Sequence, residues 1–587
     1  IGVGSVRCVE EPAMLALTAA LASATPQSAD SRSATILYTT DVHGHFFPYD
    51  FIASRPATGS ISRAAAAVDS IRHALGRDRV VLLDNGDILQ GQPTVYYYNF
   101  IDTASRHIVA DIHQFMAYDA ATIGNHDVET GHAVYDRVRA QSPIPLLGAN
   151  VIDRSTGKPY LKPYEIIDRR GLRIAVIGLL TPAIPAWLPE RLWSGLEFQP
   201  MMEAAEYWVD YVSRNEKPDF IIGIFHSGRD SSTTTAGYRE NESLEIARRV
   251  AGFDAVLMGH DHQTFCETIA GPGGHPVQVL NPANNANYLG MLSLALSPSG
   301  DKETSASLID IADITPSASF LSHFDSQRQA VGKFVGEQIS TIEADISTRP
   351  AFFGPSAFMT LLHRLQMSIS GADISMAAPL TFDGLIKKGP LTIADMFTLY
   401  KYENTLCTLR LTGREIKDYL EFSYNLWTDR LTDSQPHLIR FKSDNPSAAD
   451  NRLFSPAYNF DSAYGIDYTV DLTAPKGEKI NITGFSSGCP FLLDSVYTVA
   501  INSYRAGGGG NHLTDGAGLS VDELKQRQVS STDKDLRYYL MNELRSMPVV
   551  KPEVENNWSF IPADRYEAAR NIDFPILFGP GSSKNQK

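Results

Sequence analysis

Seven side chains able to bind a divalent cation stand in five short stretches of the first half of the chain. They are Asp41 and His43 in DVH, Asp87 in NGD, Asn125 in GNHD, His226 in FHSG, and His260 and His262 in GHDH. Carboxylate, amide and imidazole without thiolate suit zinc, manganese or a similar first-row ion. Seven such ligands suffice for a pair of ions if one carboxylate, Asp87, is shared between them. Each stretch alone is an ordinary polar turn, and it is their conjunction that carries the reading.

The elements that must position them are strands. Apolar runs precede the stretches: ILYTT before Asp41, VVLLDN before Asp87, YDAATI before Asn125, FIIGIF before His226 and AVLMG before His260. Strands that are apolar throughout are usually buried on both faces, and helical patterns such as SRAAAAVDSIRHAL and EAAEYWVDYVSR lie between them, so residues 34 to about 314 read as α/β. In an open α/β sheet the C-terminal strand ends line one edge, where ligands usually bind. The five strand ends are therefore expected to converge on one site.

The ordered motifs DxH, GD, GNHD, H and GHxH resemble those of the calcineurin-like metallophosphoesterases. Both halves of the chain, from about Ala34 to about Pro562, resemble the two-domain 5′-nucleotidase and 2′,3′-cyclic phosphodiesterase family. The segments AAP, GPLTIAD, YKYENTL and LTGREIKDYLE, with no NGGGIR-like stretch, look like its 2′,3′-cyclic-nucleotide 2′-phosphodiesterase/3′-nucleotidase branch. The resemblance implies a phosphoesterase β-sandwich flanked by helices, joined by a helix to an α+β nucleotide-binding domain. It also implies two divalent ions, zinc or manganese, one on Asp41, His43, Asp87 and His262 and the other on Asp87, Asn125, His226 and His260. Two cations so held activate a water for in-line attack on phosphorus without a covalent intermediate.

In the resembled family the histidine after the asparagine ligand stabilises the transition state or leaving group, which here is His126. Its orienting carboxylate is Glu129 or Asp127. The resemblance places base and sugar recognition on Tyr458 and Phe460 in SPAYNF, on Tyr504 and Arg505 ahead of four glycines, and on Asn404 in YKYENTL. A second base-clamping residue is Tyr504 or His512. The substrate implied is a small-molecule nucleotide: a 2′,3′-cyclic nucleotide opened to the 3′-nucleotide and then to nucleoside and phosphate. Alternatives are a 5′-nucleotidase or nucleotide-sugar hydrolase and, in another class, a non-catalytic nucleotide-binding or surface protein.

At 587 residues the chain exceeds what one core usually serves. The expected segments are a secretory leader or unstructured segment over 1–33, a dimetal domain over 34–322, a linker helix over 323–350, a substrate-binding domain over 351–562 and a tail over 563–587. A formal charge of −16 argues against gripping a nucleic-acid polymer through its phosphates. Cysteines at 8, 266, 407 and 489 form no CxxC, so neither a disulfide framework nor a thiolate zinc site is indicated. After the leader-like MLALTAALASATPQSADSRSA no apolar run is long enough to span a bilayer. A periplasmic or secreted location is expected.

Overall fold

A computed structural model describes residues 32–229, 234–235, 237–443 and 453–579. Residues 1–31, which hold Cys8 and all but the last three residues of the leader-like stretch, and the last eight residues lie outside the described residues. The chain forms two compact units, one reaching Phe334 and the other running from Val335 and also taking in Ala186–Leu188.

The first unit is built on strands β1 (Arg32–Thr39), β2 (Val80–Asp84), β3 (Ala120–Thr122), β4 (Leu146–Leu147), β5 (Tyr164–Arg169), β6 (Leu172–Leu180), β7 (Phe220–His226), β8 (Ala255–Met258), β9 (Thr264–Ala270), β10 (Pro276–Pro282), β11 (Tyr288–Leu296) and β12 (Lys302–Asp310). They make two six-stranded sheets, ordered β12-β11-β1-β2-β3-β4 and β9-β10-β8-β7-β6-β5. In the first, β1 through β4 run parallel; in the second, β6, β7, β8 and β10 do. Ile36, Val81 and Leu83 of one sheet and Val176, Ile222, Ile224 and Leu257 of the other share one buried core. The five strands that lead into the candidate ligands thus belong to a sandwich of two sheets rather than one open sheet. The runs VVLLD, FIIGIFH and AVLM are buried at every residue, as their unbroken apolarity requires. Helix α1 (Met201–Asn215) covers the outer face of the second sheet with Met201, Ala205, Val209 and Val212.

The linker helix is shorter than expected. Helix α2 spans Asp325–Val335, and Gln338–Ile342 then forms a strand paired with Gly389–Thr392. Three of the five residues of QISTI are β-branched, which favours strand over helix, and Ile339 and Ile342 are buried.

The second unit is α+β. It packs a five-stranded mixed sheet and a three-stranded sheet around a core containing Trp427, Phe460, Tyr468 and Trp558. The segment expected to be a tail instead contributes helix α3 (Ala563–Phe578). Its Ala569 and Leu577 enter that core, and Asp573 accepts the Ile439 N–H at 2.8 Å. Pro575 inside the helix breaks the sequence pattern that would have announced it. Among the described residues no helix is long and apolar enough to cross a membrane.

Candidate dimetal active site

The turns that leave β1, β2, β3, β7 and β8 are tied to one another before any ligand is considered. Asp41 N–H donates to Gly86 O at 2.9 Å and His43 N–H to Asp87 O at 2.9 Å. His260 N–H donates to Asp41 Oδ2 at 3.0 Å and His126 N–H to Asp87 Oδ1 at 2.8 Å. Asp41, His43, Asp87, His260 and His262 all adopt positive φ, between 48° and 74°. Such left-handed backbone costs on the order of 1–3 kcal/mol per non-glycine residue and persists where surrounding contacts over-determine it. Gly124 must be glycine because a Cβ there would stand 2.0 Å from Asp87 Oδ1.

The predicted ligands come together in two groups. Asp41, His43 and His262 offer ligand atoms within 4.8 Å of one another, and so do Asp87, His226 and His260. His43 Nε2 lies 3.1 Å from His262 Nε2, which is 3.2 Å from Asp41 Oδ1. His226 Nε2 lies 3.0 Å from Asp87 Oδ2. Among the described residues, Asn125 Oδ1 is buried without a hydrogen-bond partner, and His226 Nε2 and Asp87 Oδ2, though 3.0 Å apart, are not aligned for one, which burial normally forbids. A cation held by all three satisfies them together.

The electrostatics agree. Burial opposes charge on His226, yet Asp87 and Asp41 overcome it and raise its pKa to about 10, so the buried carboxylates demand a positive neighbour. Burial, with His262 beside it, lowers His43 to about 3, leaving a neutral ring with a lone pair to give. The residues present fit a pair of divalent ions. Asp261 accepts Arg229 N–H at 3.1 Å and Asn281 Nδ2–H at 2.8 Å, fixing the turn between its neighbouring histidines.

His126 is the second residue of a five-residue helix, Asn125–Glu129, and is one-quarter exposed. Its Nδ1 lies 2.6 Å from Glu129 Oε2, a carboxylate that is almost fully buried. Asp127 does not share this role. Its two oxygens accept the backbone N–H groups of Asp87, Ile88, Leu89 and Gly124 at 2.8–3.0 Å, which locks the NGD turn to the GNHD turn. Burial and the charge of Asp87 push Asp127 up to about 7, against backbone donors that favour the ionised form. Of the two carboxylates it is Glu129 that meets His126 Nδ1, while Asp127 binds backbone amides.

In the second unit the expectations need revision. Phe460 is fully buried and stacked on Trp427, rings 5.2 Å apart at 12°, so it cannot clamp a base. Arg505 is also buried, and it spends its donors internally: on both Asp461 oxygens, on Tyr458 O, on Asn459 Oδ1 and on Gly509 O, at 2.6–3.0 Å. Gly510, at φ 69°, makes room for that guanidinium, since a Cβ there would stand 2.2 Å from it. Gly510 therefore serves an arginine. His512 is buried against Tyr419 and Phe422, with Nδ1 and Nε2 on the carbonyls of Gly510 and Asn459.

That leaves Tyr504 of the two clamp alternatives. Half-buried Tyr458 has Tyr504 on one side, 6.5 Å away at 89°. It also meets Tyr402, 6.4 Å away at 89°, which the sequence reading missed. The signal lay in YKYENTL, two positions before Asn404. Asn404 is nearly buried, and its carbonyl accepts Leu536 N–H at 2.7 Å. Buried Arg537 fixes this turn through Tyr400 O, Lys401 O and Glu403 at 2.6–2.9 Å.

Comparison with known proteins follows the same division. Residues 34–264 match the calcineurin-like phosphoesterase family model, and residues 331–515 match the 5′-nucleotidase C-terminal domain. The chain is 26% identical over 94% of its length to a 2′,3′-cyclic-nucleotide 2′-phosphodiesterase/3′-nucleotidase of Yersinia enterocolitica, covering 91% of that protein. It is 27% identical over 90% of its length to the trifunctional nucleotide phosphoesterase YfkN of Bacillus subtilis, of which it spans 39%. A Staphylococcus aureus chain solved with α-ketoglutarate shares the fold at a TM-score of 0.75 and 21% identity, over 90% of this chain and 100% of that one.

Proposed function

This chain belongs to the 5′-nucleotidase family and carries its calcineurin-like metallophosphoesterase domain, and on that premise we propose that it opens 2′,3′-cyclic nucleotides to 3′-nucleotides and then releases the 3′-phosphate. The observation that carries this reading is the likeness to the Yersinia enterocolitica enzyme, which runs through both units rather than the first alone. The segments AAPLTFDG and YKYENTL support it in the second unit.

Asp41, His43, Asp87 and His262 would hold one divalent ion, and Asp87, Asn125, His226 and His260 the other. When bound, such a pair neutralises phosphoryl oxygens and acidifies the attacking water. The side chains of this protein do the rest. Asp127 holds the backbone of Asp87 in register with that of Gly124. Glu129 takes the Nδ1–H of His126 and so fixes the ring and its tautomer. Protonated at Nε2, His126 gives its proton to the ribose oxygen that leaves, O2′ in ring opening and O3′ in the second hydrolysis. Each turn adds one water and breaks one P–O bond. Tyr402, Tyr458 and Tyr504 receive the nucleobase, for which stacking on an aromatic is worth roughly 1–3 kcal/mol.

With 2′,3′-cyclic AMP as sole substrate, a chromatographic time course should show 3′-AMP rising and falling ahead of adenosine and phosphate. A chelator should stop both phases. A chain that releases phosphate from 5′-AMP and leaves the cyclic nucleotide untouched would overturn the reading.

A further inference from the structure

Each of the four imidazoles in the two metal groups has a hydrogen-bond partner on its second nitrogen. His43 Nδ1 meets Gln90 O at 3.1 Å, His226 Nδ1 meets Asn85 O at 2.7 Å, and His262 Nδ1 meets the Asn284 amide at 3.1 Å. Those three partners are neutral. His260 differs, because its Nε2 lies 2.9 Å from Glu240 Oε1.

We infer that Glu240 is a positioning residue for the metal group of Asp87, Asn125, His226 and His260. Its carboxylate accepts the Nε2–H of His260, which assigns ligation to Nδ1, fixes the ring plane and makes Nδ1 a stronger donor. The inference rests on reading these residues as ligands of one ion.

The backbone that carries Glu240 is built into the site. Ser227, the residue after His226, donates its hydroxyl to Glu240 O at 3.1 Å and accepts Glu242 N–H at 3.1 Å. Its own carbonyl accepts Ser243 Oγ–H at 2.8 Å, and Asn241 Oδ1 accepts Gly228 N–H at 2.7 Å. A Cβ on Gly228 would stand 2.7 Å from both Asn241 Oδ1 and Asp261 Cβ. The turns carrying His226, Glu240 and His260 are therefore interlocked, and the carboxylate reaches His260 from a fixed base. The Glu240 side chain is one-fifth exposed.

Partners of this kind typically contribute about tenfold to a hundredfold in metal affinity. The effect should be confined to one ion, since Asp41, His43 and His262 have their own partners. The test is titration of the metal-free full chain with zinc against a chromophoric chelator, for wild type, Glu240→Gln and Glu240→Ala. The wild type should take up two ions per chain. Glu240→Ala should lose about tenfold to a hundredfold in one binding step and nothing in the other, and Glu240→Gln, which still accepts the proton without charge, should fall between. The melting temperature of the metal-free form should not move. Two steps unchanged in Glu240→Ala, or both weakened alike with a lowered melting temperature, would overturn the inference. A wild type binding fewer than two ions overturns the dimetal reading and this inference with it.

Discussion

His126 Nδ1 and Glu129 Oε2 stand 2.6 Å apart, at positions i and i+3 of one short helix, while the ring keeps a quarter of its surface exposed. The pair joins a buried carboxylate to an accessible imidazole beside the metal ligands, the arrangement a general acid needs. His126→Ala should lower kcat by roughly a hundredfold to ten-thousandfold. Glu129→Ala should lower it by about tenfold to a hundredfold by releasing the ring. Both variants should retain two metal ions, whereas Asp87→Ala should lose both. Metal analysis of the purified variants checks this, and a His126→Ala protein short of one ion would make that residue a ligand.

The tyrosines and Phe460 should separate cleanly. Tyr402→Ala and Tyr458→Ala should raise KM for a nucleotide roughly tenfold to a hundredfold while sparing a small aryl phosphodiester. Phe460→Ala should instead cost about 3–5 kcal/mol of stability, because it removes a ring from a closed core. Parallel kinetics and thermal melts decide between the two roles. Equal losses on both substrates for Tyr402→Ala would make Tyr402 structural.

His363 gives the second unit an acid-labile contact. Its nitrogens meet Ser375 Oγ at 2.9 Å and Ser462 Oγ at 3.2 Å, and burial lowers it from the usual 6.5 to about 3. Between those values the unfolded chain binds a proton that the native one does not. Stability should therefore fall as pH drops from about 6.5 toward 3, by about 1.4 kcal/mol per pH unit for a single group well inside the window. His363→Gln should flatten the dependence of the melting temperature on pH between 6 and 4. An unchanged slope would remove His363 from the account.

The candidate ligands were legible because motif and strand end coincide: an apolar run followed by Asp, Asn or His needs no tertiary information. Their left-handed backbone was not: Asp and His tolerate it better than most side chains but rarely adopt it, and here the interlocked turns impose it. Nor was the supporting layer, because Glu240 and Asn284 lie twenty or more positions from the histidines they hold. Phe460 was named and Tyr402 passed over for a related reason. Both are aromatics near small and polar residues, and Trp427, distant in sequence, decides which one is buried. Glu129 and Asp127 could be told apart only by the backbone amides that converge on Asp127.

The central claim is that this metallophosphoesterase acts on the 2′,3′ side of a ribonucleotide. Side-by-side kcat/KM values for 2′,3′-cyclic AMP, 3′-AMP and 5′-AMP, on protein loaded with zinc or manganese, test it most directly. The account predicts that the cyclic nucleotide and 3′-AMP are both preferred over 5′-AMP by at least about tenfold, a difference of about 1.4 kcal/mol in transition-state binding. A kcat/KM for 5′-AMP equal to or above the other two would contradict it.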